Sequence, residues 1–138
     1  QQMSITQLAI EYCHVLVENS TPRNNFFTKA AAAGLDLDIG VSTISGAQAN
    51  AVAEDLHDKM IGLPDPDDNM LSDAPSLAEI QQMLVTGFTH PSDNLRDYSG
   101  LLADMSANCG ACNSVADRRT IVKGLCGAVL SSAAMLLQ

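Results

Sequence analysis

The residues here whose type and placement most directly imply chemistry are the four cysteines, Cys13, Cys109, Cys112 and Cys126. An even count without a recurring metal-ligand spacing points to two disulfides and an oxidising compartment. Cys13 and Cys126 each fall on the apolar stripe of a helical pattern, one near the start of the chain and one near its end. A bridge between them would tie the two ends together. It would leave Cys109 and Cys112 as a local bridge at a turn broken by Gly110. Four cysteines admit other pairings, and spacing alone does not choose among them. Two further chemistries use the same residues. A redox-active C-x-x-C would need βαβ surroundings that the flanks of Cys109 and Cys112 lack. A zinc site would draw on all four thiolates, or on His14 with them, but no second C-x-x-C or H-x-x-x-H supports it. Covalent haem attachment is excluded, because Asn113 rather than His follows Cys112.

A second constellation lies in an acidic stretch. Asp65, Asp67 and Asn69 have the spacing of the opening ligands of a calcium loop, and Asp73 falls at its ninth position. Met70 stands where that loop requires Gly, and Ser76 where it requires a bidentate Glu. An EF-hand is thereby excluded. An irregular calcium site remains beside the plainer reading of a solvated turn, and calcium is the one cofactor left open. His14, His57 and His90 share no motif, and neither a Ser-His-Asp order nor a G-x-S-x-G elbow is present. The expectation is a protein that is not an enzyme.

The elements that must position these residues read as helices. Ser4 with Gln7 makes a capping box, and Ile5, Leu8, Ala9, Tyr12, Cys13 and Leu16 follow as one inward face. That helix is expected to end near Asn19, before Pro22. Residues 23–33 predict a short helix or turn with Phe26 and Phe27 as plugs, stopped by Gly34. Leu35 to Val41 alternates apolar residues with Asp and reads as a loop. Ser42 to Ile61 is the next helix, ended by Gly62 and Pro64. Residues 63–75 form an acidic, Pro-rich loop. Ser76 with Glu79 caps a helix carrying Leu77, Ile80, Met83, Leu84 and Phe88, ended by Gly87 and Pro91. Ser92 to Asn108 predicts another, with Leu95, Tyr98, Leu102 and Met105 inside. The last begins at Ser114 and is apolar nearly all round from Ile121, which places it centrally. Its run from Gly124 to Leu137 is shorter than the ~20 apolar residues a bilayer needs, so no transmembrane segment is expected. The whole is a single domain over 1–138, all-α: a disulfide-tied bundle of four main helices plus one or two short helices.

Composition narrows the partners. The formal net charge is −9, and only seven residues are basic. That argues against nucleic acid and against anionic membrane surfaces. Gln1 stands directly before a helical pattern with no apolar leader, so a processed mature chain or a domain of a longer one is expected.

Several short stretches taken in order carry a resemblance: Ile5 to Cys13, Arg23 to Phe27, Cys109 to Cys112, then Val122-Lys123 and Cys126 to Gln138. Together they resemble an uncharacterised helical region of large exported Gram-negative bacterial proteins that also carry laminin-G-like (concanavalin A-like) domains. The resemblance leaves Gly34 to Pro75 uncovered. It implies an exported bacterial protein with disulfide-type cysteines, and it carries over no catalytic residue.

These readings converge on a non-catalytic structural or interaction module, extracellular or at the cell surface, with the periplasm as the alternative compartment. The expected partners are other copies of the chain, in an oligomer or filament, or neighbouring domains of the same protein. Val129, Leu130, Leu136 and Leu137 on the last helix, or Met70 and Leu71 in the loop, are the expected interface. A small-ligand or calcium-binding domain is the alternative, and a C-x-x-C redox protein a further one.

Overall fold

The computed structural model describes residues 2–39, 43–61, 75–89, 91–92 and 97–135. The fold is all-α: α1 (Gln2–Glu18), α2 (Ser20–Phe26), α3 (Thr28–Ala32), α4 (Gly46–Leu56), α5 (Leu77–Gln81), α6 (Leu101–Ala107) and α7 (Val115–Met135). Both α4 and α5 run on into a wider, π-type turn, over His57–Ile61 and Gln82–Thr86. Helix α7 packs along α1. Helix α4 fills the centre with Ala49, Val52, Ala53 and Leu56, all fully buried. Ile80 and Leu84 close the core from one side, and Phe27, Ala30, Leu35, Leu37 and Ile44 from another. Among the described residues no helix is long and apolar enough to cross a membrane.

Local chemistry explains most helix starts. Ser45 and Gln48 form a reciprocal capping box that opens α4, and Ser76 and Glu79 do the same for α5. The Ser114 hydroxyl accepts the Asp117 N–H at 3.1 Å at the head of α7. Ser4 is not a cap, because α1 is already helical at Gln2. Helix α1 ends at Glu18, beside the expected Asn19. The chain bends at Asn19 and restarts, and Pro22 sits in the first turn of α2, where no N–H is needed. The short helix expected over residues 23–33 is therefore two, α2 and α3, divided at Phe27.

Helix α6 is shorter than the pattern from Ser92 implied. It starts only at Leu101, because the chain ahead of it pairs with itself. Phe88 and Tyr98 form an antiparallel bridge, with N–H···O distances of 2.7 and 2.9 Å. Gly87 makes the approach possible: its φ is +67°, and a Cβ there would lie 1.8 Å from the Tyr98 carbonyl oxygen. Tyr98 thus lies outside α6, with its hydroxyl donating to the Met83 carbonyl at 2.7 Å.

Three buried charges hold the periphery to the core. The fully buried Asp55 carboxylate accepts the backbone N–H groups of Lys29 at 3.1 Å and Ala30 at 2.9 Å, with Lys59 Nζ at 3.5 Å. Those N–H groups belong to the first turn of α3, which has no side-chain cap of its own. Asp55 in α4 is therefore the cap of α3, supplied across the fold. Arg23 and Arg118, each 3 % exposed, both serve the Leu35–Ile39 segment. Arg23 pairs with Asp38, and Arg118 donates to the Ile39 carbonyl. Arg119 adds a bond to the Leu37 carbonyl at 2.9 Å. The expected loop is therefore a strap, with Leu35 and Leu37 turned into the core and Asp36 and Asp38 outward.

Candidate functional site

The site is the outer face of α1, and its position is set by α7. Cys13 and Cys126 are both fully buried and joined as a disulfide, with Cα atoms 5.9 Å apart. One turn and a half further along, Glu18 accepts from Lys123 at 2.6 Å and from Arg119 at 3.4 Å. Arg23 donates to the Val17 carbonyl at 2.8 Å, placing a cation at the C-terminal end of α1. A covalent bond, an ion-pair cluster and a helix-end cation thus fix the rotation of α1 about its own axis.

That rotation buries Ala9, Cys13, Leu16 and Val17. It leaves Leu8 70 %, Tyr12 51 % and Val15 54 % exposed. Leu8 and Tyr12 were expected to face inward, and they do not. The apolar arc of α1 is wider than the surface that its neighbours offer, so only part of it is covered. Ile5, half-buried, extends the uncovered part. The exposed edge beside it carries Glu11. Scattered exposed apolar residues are ordinary on any protein, but side chains contiguous along one helix form a patch.

Cys109 and Cys112 form the second disulfide, Cα to Cα 5.4 Å, in the turn between α6 and α7. Gly110 at φ +73° and Cys112 at φ +54° both take the left-handed region there. For a non-glycine residue this costs ~1–2 kcal/mol. This turn sets where α7 begins and hence where Cys126 meets Cys13.

The other expected site residues fall elsewhere. Val129 is 1 % exposed and belongs to the chain's own core, so it is not available to a partner. Leu130 is half-buried and packs against that core. Leu136, Leu137, Met70 and Leu71 lie outside the described residues, as do Asp65, Asp67, Asn69 and Asp73 of the calcium-like spacing. Among the described residues no group of three or more His, Cys, Asp or Glu is placed to hold a metal ion. His14 is exposed, and His57 Nδ1 lies 3.2 Å from Asp58. A cleft of about 480 Å³ opens between α2, α3 and the strap, walled by Arg23, Phe27, Ala31, Leu35 and Asp36 among others.

The ion pairs that orient α1 give the fold a pH dependence. Glu18 is held below its ordinary range, chiefly by the Lys123 hydrogen bond; partial burial opposes this, and the charges of Lys123 and Arg119 add to it. Asp58 is lowered likewise, by hydrogen bonds from Lys29 and then His57. A carboxylate with a depressed folded pKa contributes stability above its unfolded pKa and loses it as pH falls through the folded one. The urea midpoint is therefore expected to hold from neutral pH down to about 4.5, then to fall. Glu18→Gln is expected to start lower at neutral pH and to fall less steeply in acid, as measured by urea titrations across that range.

Compared with family models, curated proteins and solved structures, the chain matches none of them.

Proposed function

We propose that this chain is an exported, non-catalytic interaction module that holds a neighbouring protein or domain along the outer face of α1. The observation that carries the reading is the uncovered apolar row Leu8, Tyr12 and Val15 on a helix whose orientation is fixed by a buried disulfide. A rigid, pre-oriented apolar face loses little entropy on binding. Two disulfides fit an oxidising compartment, and the strong acidity fits a protein partner rather than nucleic acid or an anionic membrane. The test places a photo-crosslinking amino acid at Tyr12, and separately at the exposed Ala103 on α6, in the producing cell. An adduct from position 12 and none from position 103 is expected. Absence of any adduct at position 12 would overturn the reading. Labelling of Lys29 on intact cells by a membrane-impermeant amine reagent tests export in the same samples.

A second reading rests on the cleft beside α2 and α3. Its volume lies in the range of small-ligand sites, and its lining mixes Phe27, Ala30 and Leu35 with Arg23 and Asp36, while Asp38 is paired with Arg23 and Arg119. That combination suits a small ligand with both apolar and polar groups.

A further inference from the structure

The row on α1 has a spacing of its own. Ile5, Leu8, Tyr12 and Val15 follow one another at intervals of three, four and three residues. This is the a/d seam of a heptad repeat, the pattern by which one helix packs lengthwise on another. It is distinct from the buried row of Ala9, Cys13, Leu16 and Val17, which packs within the chain. In the same register Ala9 and Leu16 take the e positions, and Glu11 and Glu18 take the g positions. The e side is therefore already covered by the chain's own bundle, and only the g side is open. Glu18 is engaged by Lys123 and Arg119, so Glu11 is the exposed carboxylate that a docking helix would meet first.

The charges select the occupant. In an antiparallel pair of two copies, the open edge of one meets the same edge of the other, and Glu11 faces Glu11. A parallel pair would bring Glu11 against the other copy's Leu16, which is only 6 % exposed and is covered by that copy's own bundle. Each copy also carries a net charge of −9, so self-pairing works against the field of the whole molecule. A helix with an apolar seam and basic flanks meets neither obstacle.

Resting on the reading of α1 as an interaction face, we infer that its partner is an amphipathic helix of a different sequence. That helix carries apolar residues at heptad spacing and Lys or Arg beside them, and it lies lengthwise along Ile5, Leu8, Tyr12 and Val15.

The test uses the full oxidised chain and three designed three-heptad peptides, followed by fluorescence anisotropy. One has Leu at a and d with Lys at e and g. The second has Glu in place of Lys. The third is a scrambled version of the first, with the same composition and no heptad. The basic heptad peptide is expected to bind about tenfold or more tightly than either of the others, and to weaken as salt rises. Leu8→Glu, at a 70 % exposed position that leaves the fold intact, is expected to remove that preference. Equal binding of the basic and scrambled peptides would overturn the inference, as would binding unchanged by L8E. Light scattering of the chain alone separates this from the reading beneath it. Concentration-dependent association abolished by L8E would keep α1 as the interaction face and replace the basic helix by a second copy. A single-chain mass throughout, with no preference among the peptides, would overturn this inference alone; the interaction face itself falls only if position 12 gives no adduct in the cell.

Discussion

Replacing Cys13 and Cys126 together by alanine is expected to lower the unfolding free energy by about 4.7 kcal/mol, which for a single domain of this size is a large fraction of the total. The bridge spans 113 residues, so its loss returns to the unfolded chain the freedom to separate residues 13 and 126. Its native environment is fully buried and apolar, and alanine leaves small cavities rather than unpaired polar groups. The corresponding change at Cys109 and Cys112 opens a loop with a separation of only three residues and is expected to cost much less in chain entropy. The measurement is urea unfolding of the oxidised wild type against each double variant, followed by circular dichroism. A loss below about 1 kcal/mol for the first pair would mean that the unfolded chain already keeps its ends together.

The second large effect is at Asp55. Asp55→Ala removes the acceptor of two α3 backbone N–H groups, that of Ala30 buried and that of Lys29 partly so. Each bond to a charged acceptor contributes about 1.5 kcal/mol or more, so a loss of about 3 kcal/mol is expected. Removing the carboxylate also relieves the cost of burying it, which works in the opposite direction. That cost is reduced here by Lys59 at 3.5 Å and by the positive end of α3, so the loss of the bonds wins. Asp55→Asn keeps one acceptor oxygen and loses the charge, and is expected to fall about halfway between. Equal stability of the alanine variant and the wild type in urea would show that the burial cost cancels the bonds. Hydrogen exchange at Lys29 and Ala30 gives the local readout, with faster exchange in both variants.

The fold class was legible because its signals are local. Helix periodicity and the Ser76–Glu79 capping box are written within a few residues, and the structure shows the corresponding elements. What failed locally was decided by distant contacts. The start of α6 depends on Phe88 pairing with Tyr98, which no window around Ser92 contains. The end of α1 beside Asn19 was legible, but the restart at Ser20, with Pro22 in the first turn of α2, carries no separate local signal.

The candidate site was half legible for a related reason. The apolar positions of α1 were visible, but periodicity does not say which part of a wide arc its own chain will cover. Val15 lies outside the six-residue inward set, although its spacing from Tyr12 repeats that from Ile5 to Leu8. Asp55 was missed because, in the run Glu54-Asp55-Leu56-His57-Asp58, nothing distinguishes a buried carboxylate from its solvated neighbours. Its role exists only once α3 is placed against α4. Arg23 and Arg118 were hidden likewise, since their partner segment lies 15 positions away from one and 79 from the other.

The tie between the first and last helices also has a mechanical meaning. A pull exerted on the chain before residue 13 and after residue 126 passes from α1 to α7 through a covalent sulfur–sulfur bond. Residues between those points bear none of it. The chain they contain, on the order of 380 Å if drawn straight at ~3.4 Å per residue, stays out of reach of the load while the bond holds. Stretching can therefore lengthen only chain that lies outside that loop. Helices α2 to α6 and the strap keep their packing under a tension that would unravel an unbridged bundle.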